Sequence, residues 1–378
     1  MTDDALRELP ARVRSAARDR WPDADLGTLD PLPGGISSLT YAATLSGTGD
    51  GDRRVVVKVA PPGLAPVRNR DVLRQARVMA AVHTVAGVLV PEVLFRDDGS
   101  PPFFVMAFVP GEAYEPKWDV SDAPPAPAMV DARARAAARM LARLHAVDPA
   151  GMGIDDAPLT PAEEIKRWSA LFATAGEDLR VNERELRTVL SGRVPAWSGA
   201  PAARVLHGDY RLGNMQFEGD RLAAIIDWEI WSVGDPRSDL AWLMCFTDPV
   251  QQRVAHRDAA NQAAADAMPS SAELLAEYMD EAGLDATPAD LDWFQAFGYY
   301  KLGAAMSVLA KRNRRWPSPI PAWSSPRGRW RRCWRGGSSC WGLSRALVLA
   351  HVGLPPVKPN RRPAIRRSWS SSEPSVMR

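Results

Sequence analysis

Between Arg204 and Phe217 the chain reads RVLHGDYRLGNMQF, crowding His207, Asp209, Arg211 and Asn214 between two apolar runs. Asp209 and Asn214 stand five positions apart. On a tight loop that spacing lets a carboxylate face a substrate hydroxyl while an amide oxygen reaches a cation from the other side. A second carboxylate, Asp227, follows thirteen positions after Asn214, at the end of the hairpin strand RLAAIID. An acceptor base with two hard oxygen ligands is the set that phosphoryl transfer requires. There Mg²⁺ neutralises nucleotide phosphates while the protein positions groups and stabilises charge.

HGDYRLGN, then IIDWE, then GDPRSDLAWL, resembles the aminoglycoside phosphotransferase superfamily, small-molecule kinases with a protein-kinase-like fold. Within it the chain is most similar to the phosphotransferase-like domains related to those fused to acyl-CoA dehydrogenases. The likeness covers roughly residues 25 to 315, and its specificity lies in the ordered combination of motifs. It implies an α+β, bilobal fold with a small β-rich N-lobe and a larger, mainly helical C-lobe. It implies ATP and Mg²⁺ as cofactors and a small-molecule hydroxyl as acceptor. Asp209 becomes the catalytic base, and Asn214 and Asp227 the metal ligands. His207 braces the loop, and Asp239 anchors it from beneath. Arg211 stays open between a phosphate, an anionic substrate group and an ion pair with Glu229. Kinases of aminoglycosides, macrolides and choline belong to the superfamily, whereas the nearest-looking relatives point to hydroxyacyl-type acceptors.

The N-lobe must then grip a nucleotide. VVVKVA places Lys58 in mid-strand among apolar neighbours, where a lysine needs an anionic ligand or a carboxylate; in the family it meets ATP phosphates. PGGISSLTY offers Gly34, Gly35, Ser37 and Ser38 as a turn whose N–H groups cap phosphates, although a tight hairpin explains the glycines equally well. VMAFVPGE resembles the hinge, with backbone groups near Ala107 and Phe108 bonding the adenine edge. The family's usual helix carries a Glu that pairs with the strand Lys. Here RDVLRQARVMAAVH puts Gln75 at that position, which can hydrogen-bond Lys58 without neutralising it.

Periodicity supplies the scaffold. A helix opens the chain. Strands are expected near Thr40–Leu45 and Arg54–Ala60, a helix over Asp71–Val85, and two short strands within VLVPEVLFRDDGSPPFFVMAFVPGE. SDAPPAPAMVD, at 121–131, reads as a connector. Helices follow over Ala132–Ala146, Pro161–Phe172 and Asn182–Leu190, then a β-rich island around the loop, then helices again from Asp239. The division expected is 1–111 as nucleotide-binding lobe, 112–315 as catalytic lobe and 316–378 as tail. His145, His83 and His256 read as packing or surface residues, WFQAFGYY as a core face, and RARAAAR as a solvated face.

Composition, 46% hydrophobic and 24% charged, is that of a soluble globular protein. No run of eighteen apolar residues marks a membrane span, and the start lacks a secretory apolar core. Cys245, Cys333 and Cys340 show no metal spacing and suit a reducing cytoplasm. Charge is uneven. Residues 311–378 hold 16 of the 47 basic side chains and one of the 45 acids, Glu373, leaving an acidic body. That Trp-, Pro-, Ser- and Arg-rich tail cannot bury a core; it reads as an out-of-frame translation of a GC-rich gene or as a basic arm for nucleic acid. Beside the kinase reading stands a nucleotide-binding module with little turnover.

Overall fold

A computed structural model describes residues 2–32, 38–180, 182–197, 199, 202–248 and 258–315. Helix α1 (Thr2–Arg20) leads into β1 (Asp25–Leu26), β2 (Asp30–Pro31), β3 (Leu39–Ser46) and β4 (Arg53–Val59). Helix α2 (Val72–His83), β5 (Val93–Asp97) and β6 (Phe103–Ala107) complete the first half. These strands form one antiparallel sheet in the order β1-β3-β4-β6-β5, with β2 also on β3. The alternation of β4 decides which side chain reaches the cleft. Val55, Val57 and Val59 bury with Phe103 and Val105 against Leu9, Val13 and Ala17 of α1. Lys58, opposite Phe104 in the register, therefore projects from the other face, where Phe104 packs with the Val72, Ala76 and Met79 side of α2.

The second half is mostly helical: α3 (Pro127–His145), α4 (Pro161–Ala173), α5 (Glu183–Ser191), α6 (Arg237–Cys245), α7 (Ala259–Asp266), α8 (Ser271–Ala282) and α9 (Leu291–Arg315). Into it are set two small antiparallel pairs. One joins β7 (Arg204–Leu206) to β10 (Ser232–Gly234); the other is the hairpin of β8 (Met215–Glu218) and β9 (Arg221–Ile225). The fold is thus the α+β, two-lobed one expected. Trp293, Phe294, Phe297 and Tyr300 of α9 are buried as a core face, with Trp293 and Phe297 stacked at 5.6 Å. No helix among the described residues is long and apolar enough to cross a membrane.

Three expectations change. The 121–131 connector ends early, because α3 begins at Pro127; a proline at the first helical position has no N–H to lose and a preset φ. RARAAAR is no solvated face. Arg133 is 2% exposed and reaches the Glu112 carboxylate at 2.6 Å and the Gly219 carbonyl at 2.7 Å. Arg135, Arg139 and Arg143 pair with Glu273, Glu277 and Glu281 of α8, so charge complementarity zips α3 to α8. β10 and α7 were not anticipated at all, β10 because three residues are too few to show a period. The tail readings, and His256, fall outside the described residues.

The strand-to-helix connection is pinned to the hairpin. Glu112 and Phe217 exchange backbone hydrogen bonds at 2.9 and 3.0 Å. Gly111 enters that bridge at φ +135°, and a Cβ there would lie 2.7 Å from the Phe217 carbonyl oxygen. Gly111→Ala is expected to destabilise the fold by about 1–3 kcal/mol, seen as a lower thermal-unfolding midpoint; an unchanged midpoint would mean the bridge is dispensable.

Candidate active site

The loop leaves β7, turns through His207–Tyr210 and re-enters β8 by a single 3₁₀ turn at Leu212–Asn214. Its underside rests on Asp239, in the first turn of α6 and 1% exposed. Oδ2 accepts the His207 amide at 2.6 Å and Oδ1 the Gly208 amide at 3.0 Å. Burial pushes the Asp239 carboxyl up, but His145 and Lys301 outweigh it and hold it below its ordinary range, so it is an anion. Gly208 sits at φ +86°, and a Cβ there would stand 2.5 Å from the Ile230 carbonyl oxygen. His207 is fully buried. Its Nε2 lies 2.9 Å from the Ile226 carbonyl, while its Nδ1 accepts the Asp209 amide at 3.3 Å. A carbonyl only accepts, so Nε2 carries the proton. Burial lowers the pKa of this ring and keeps it neutral. The Tyr210 hydroxyl ties the loop to α3 by donating to the Ala137 carbonyl at 2.7 Å.

This frame leaves Asp209 at the cleft, its side chain 26% exposed at the tip. Oδ1 accepts from Trp242 Nε1 at 2.9 Å and Oδ2 from Asn214 Nδ2 at 2.8 Å, with Arg211 Nε at 3.4 Å. Burial raises its pKa, yet Arg211 and Lys301 together with the Asn214 bond outweigh that and keep it ionised. Asn214 also donates to the Asp209 carbonyl at 2.9 Å. Both contacts are acceptors, so the atom facing them must be the amide nitrogen. The Asn214 carbonyl oxygen is thereby turned the other way.

Asp227 lies two residues beyond β9 rather than at its end, in the left-handed region at φ +65°. A non-glycine residue there stores strain of the kind found at functional sites. Its Oδ1 accepts from Lys58 Nζ at 2.8 Å. Burial pushes the Asp227 carboxyl up, but Lys58 outweighs it and holds it down. Lys58 thus has the carboxylate partner its buried strand position demanded, and that partner is not Gln75. The Gln75 amide donates to the Asn69 carbonyl at 3.3 Å, and its Oε1 is buried without a hydrogen-bond partner.

Among the described residues no three His, Cys, Asp or Glu side chains gather into a metal cluster. One carboxylate and one amide oxygen instead suit Mg²⁺, which keeps waters and takes the rest of its shell from phosphates. Ser38 is buried just before β3; Gly34, Gly35 and Ser37 lie outside the described residues. The hinge expectation narrows. The Ala107 amide already donates to the Glu92 carbonyl at 2.8 Å and the Phe108 amide to the Arg54 carbonyl at 3.1 Å, so neither can be the donor to an adenine edge.

Sequence reasoning missed four residues around Asp209. Trp242 follows Asp239 by three positions in DLAWL, one helical turn on the same face, which was a readable signal. Lys301 was readable too, as a lone lysine in the apolar stretch GYYKLGAA. Glu115 and Trp118 carry no sequence signal. Arg211 lies 3.7 Å from the Glu115 carboxylate and over the Trp118 ring at 5.3 Å. Glu115 is 1% exposed; its Oε2 accepts the Gly213 amide at 3.2 Å, and its Oε1 has no hydrogen-bond partner among the described residues.

Loop, Asp239 anchor and strand lysine sit together in a two-lobed, kinase-like fold. The model of the phosphotransferase enzyme family (APH) matches residues 28–275, and the chain belongs to that family. Among curated proteins it is similar to mouse (Mus musculus) acyl-CoA dehydrogenase family member 10, at 26% identity over 74% of this chain and 26% of the relative. It is also similar to the probable acyl-CoA dehydrogenase IBR3 of Arabidopsis thaliana, at 27% identity over 75% of this chain and 35% of the relative. The chain thus spans about a quarter to a third of these relatives' lengths. Among solved structures, a Ralstonia eutropha protein described as an aminoglycoside phosphotransferase superposes with TM-score 0.65, 20% identity and coverage of 90% of this chain and 98% of that one. A thermostable mutant of aminoglycoside phosphotransferase APH(4)-Ia, in ternary complex with ADP and hygromycin B, superposes with TM-score 0.55 and 13% identity, covering 90% and 98%.

Burial pushes the Glu115 carboxyl from an ordinary 4.5 to about 7, against the pull of Arg211. The folded state then holds this proton more tightly than the unfolded chain, so stability falls as pH rises from about 4.5 to about 7. Glu115→Gln should flatten that part of a stability-against-pH curve while still accepting the Gly213 amide. An unchanged slope would place the titration elsewhere.

Proposed function

We propose that this protein transfers the γ-phosphate of ATP to a hydroxyl group of a small molecule, with Mg²⁺ and with Asp209 as the base. The observation that carries the reading is the convergence of an ionised Asp209, an Asn214 oxygen turned away from it, and Lys58 bonded to Asp227. Bound Mg·ATP supplies the phosphoryl group and neutralises its charge. Asn214 and Asp227 offer the metal its protein ligands, and Lys58 exchanges its bond with Asp227 for a phosphate oxygen. Asp209 accepts the hydroxyl proton as the acceptor oxygen bonds to the γ-phosphorus and the bond from that phosphorus to the β,γ-bridging oxygen breaks, ADP departing with the electron pair. Trp242 and Asn214 keep the carboxylate pointed at that hydroxyl.

The working unit in this reading is the lobe 1–111 with the lobe 112–315, adenine lying between them against the Ala107 carbonyl and the backbone that follows. The ADP in the APH(4)-Ia complex supports nucleotide binding at this fold. The acceptor is a small hydroxyl compound met in a reducing cytoplasm.

A second reading, a nucleotide-binding module without turnover, draws on Lys58 being held by Asp227 while Gln75 leaves it unassisted. One pair of measurements separates the two. Asp209→Asn is expected to lower ADP release in an acceptor screen by about 10²–10⁴-fold, with the thermal shift produced by Mg·ATP retained. Equal turnover in that variant would remove Asp209 from the chemistry. Wild-type binding without release on any acceptor would establish the module.

A further inference from the structure

Lys301 stands in the middle of α9 and is 7% exposed. Its ammonium has one hydrogen bond among the described residues, to the Gly208 carbonyl. It lies 4.1 Å from the centroid of the Trp242 ring and 5.2 Å from that of Trp168. Burial lowers its pKa, opposed by Asp239, Asp209 and Glu164. With Glu164, Ser238, Asp239, Trp168 and Phe297 it lines a small cavity of about 10 Å³. A buried ammonium is costly to keep without an ion pair, so this position is expensive unless its contacts serve something.

Two of these contacts, to the Gly208 carbonyl and the Trp242 ring, end at Asp209. The Gly208 carbonyl belongs to the peptide plane that enters Asp209, and the other end of that plane, the Asp209 amide, donates to His207. Lys301 therefore grips the plane from the side opposite His207. Trp242, whose face the ammonium covers, points its Nε1–H at Asp209 Oδ1 at 2.9 Å. A cation on an indole face draws electron density from the ring, which makes the N–H a stronger donor.

We propose that Lys301 is a positioning residue for the phosphoryl-transfer base. It orients Asp209 through the Gly208–Asp209 peptide and through the polarised indole of Trp242, and so couples α9 to the catalytic loop. The inference rests on Asp209 acting as proposed above. It touches neither the metal ligands nor Lys58, so it separates positioning of the base from nucleotide binding.

Lys301→Met is expected to lower kcat about 10- to 100-fold with KM for ATP unchanged. In Lys301→Ala, n-propylammonium should restore turnover saturably while n-propanol does not, because the charge is required and not the volume. Independently of turnover, the Trp242 indole N–H resonance, assigned from its loss in Trp242→Phe, should move upfield in Lys301→Met. Should the lysine variants fail to fold, Trp242→Phe carries the test, since it keeps a ring face for the ammonium and removes only the donor; it should show the same fall in kcat at constant KM. Wild-type kcat in Lys301→Met or Trp242→Phe, rescue by n-propanol, or an unmoved indole resonance would overturn the proposal. If the wild-type protein turns over no acceptor, the kinase reading fails on that result, and the indole resonance still decides whether Lys301 polarises Trp242.

Discussion

One buried carboxylate sets the geometry on which the site depends. Asp239 is anchored in α6 and faces two consecutive amides of the catalytic loop. Those N–H groups have no ladder to join, and unpaired buried donors are costly. A carboxylate beneath them satisfies both and forces the chain to turn, and a glycine at 208 allows the turn without a clash. His207 and Tyr210 then tie the loop to β9 and α3, so Asp209 emerges at the cleft already aimed. Such preorganisation is worth more than any single contact to substrate, since misplacing a reacting group by an ångström costs orders of magnitude in rate.

The Lys58–Asp227 bond plays a different part. It solves two problems of the ligand-free chain together, a lysine in a buried mid-strand position and a carboxylate in a strained left-handed conformation. The Lys58 side chain, 9% exposed, is the half that is costly alone, whereas the Asp227 side chain is 42% exposed. In the mechanism proposed above, a nucleotide with its metal would replace each half with a stronger counter-ion, phosphate for Lys58 and Mg²⁺ for Asp227. The pair is charge-neutral as it stands, so Lys58 needs no help from Gln75, whose amide turns to the Asn69 carbonyl instead.

Local chemistry made much of this legible in the sequence. The spacing of Asp209, Asn214 and Asp227 pointed to one loop and the hairpin after it, and VVVKVA to a buried lysine in need of an anionic ligand or a carboxylate. It could not say which carboxylate, because Lys58 and Asp227 are 169 positions apart and only the packing of two lobes joins them. The arginines of α3 misled for a similar reason. Charged residues on a helix read as solvated until a second helix, α8, brings its glutamates alongside. Lys301 and Trp242 were readable by rules already applied elsewhere in the chain, the lone buried lysine and the one-turn helical spacing. Glu115 and Trp118 were not, since their segment has neither period nor motif.

The central claim is that Asn214 and Asp227 hold a metal for nucleotide phosphates beside a preset base. Calorimetric titration of the wild-type protein with ATP, once with Mg²⁺ and once with EDTA, tests it most directly. The account predicts binding at least about tenfold tighter with Mg²⁺, about 1.4 kcal/mol. Equal affinity in the two titrations, or no binding in either, would contradict it.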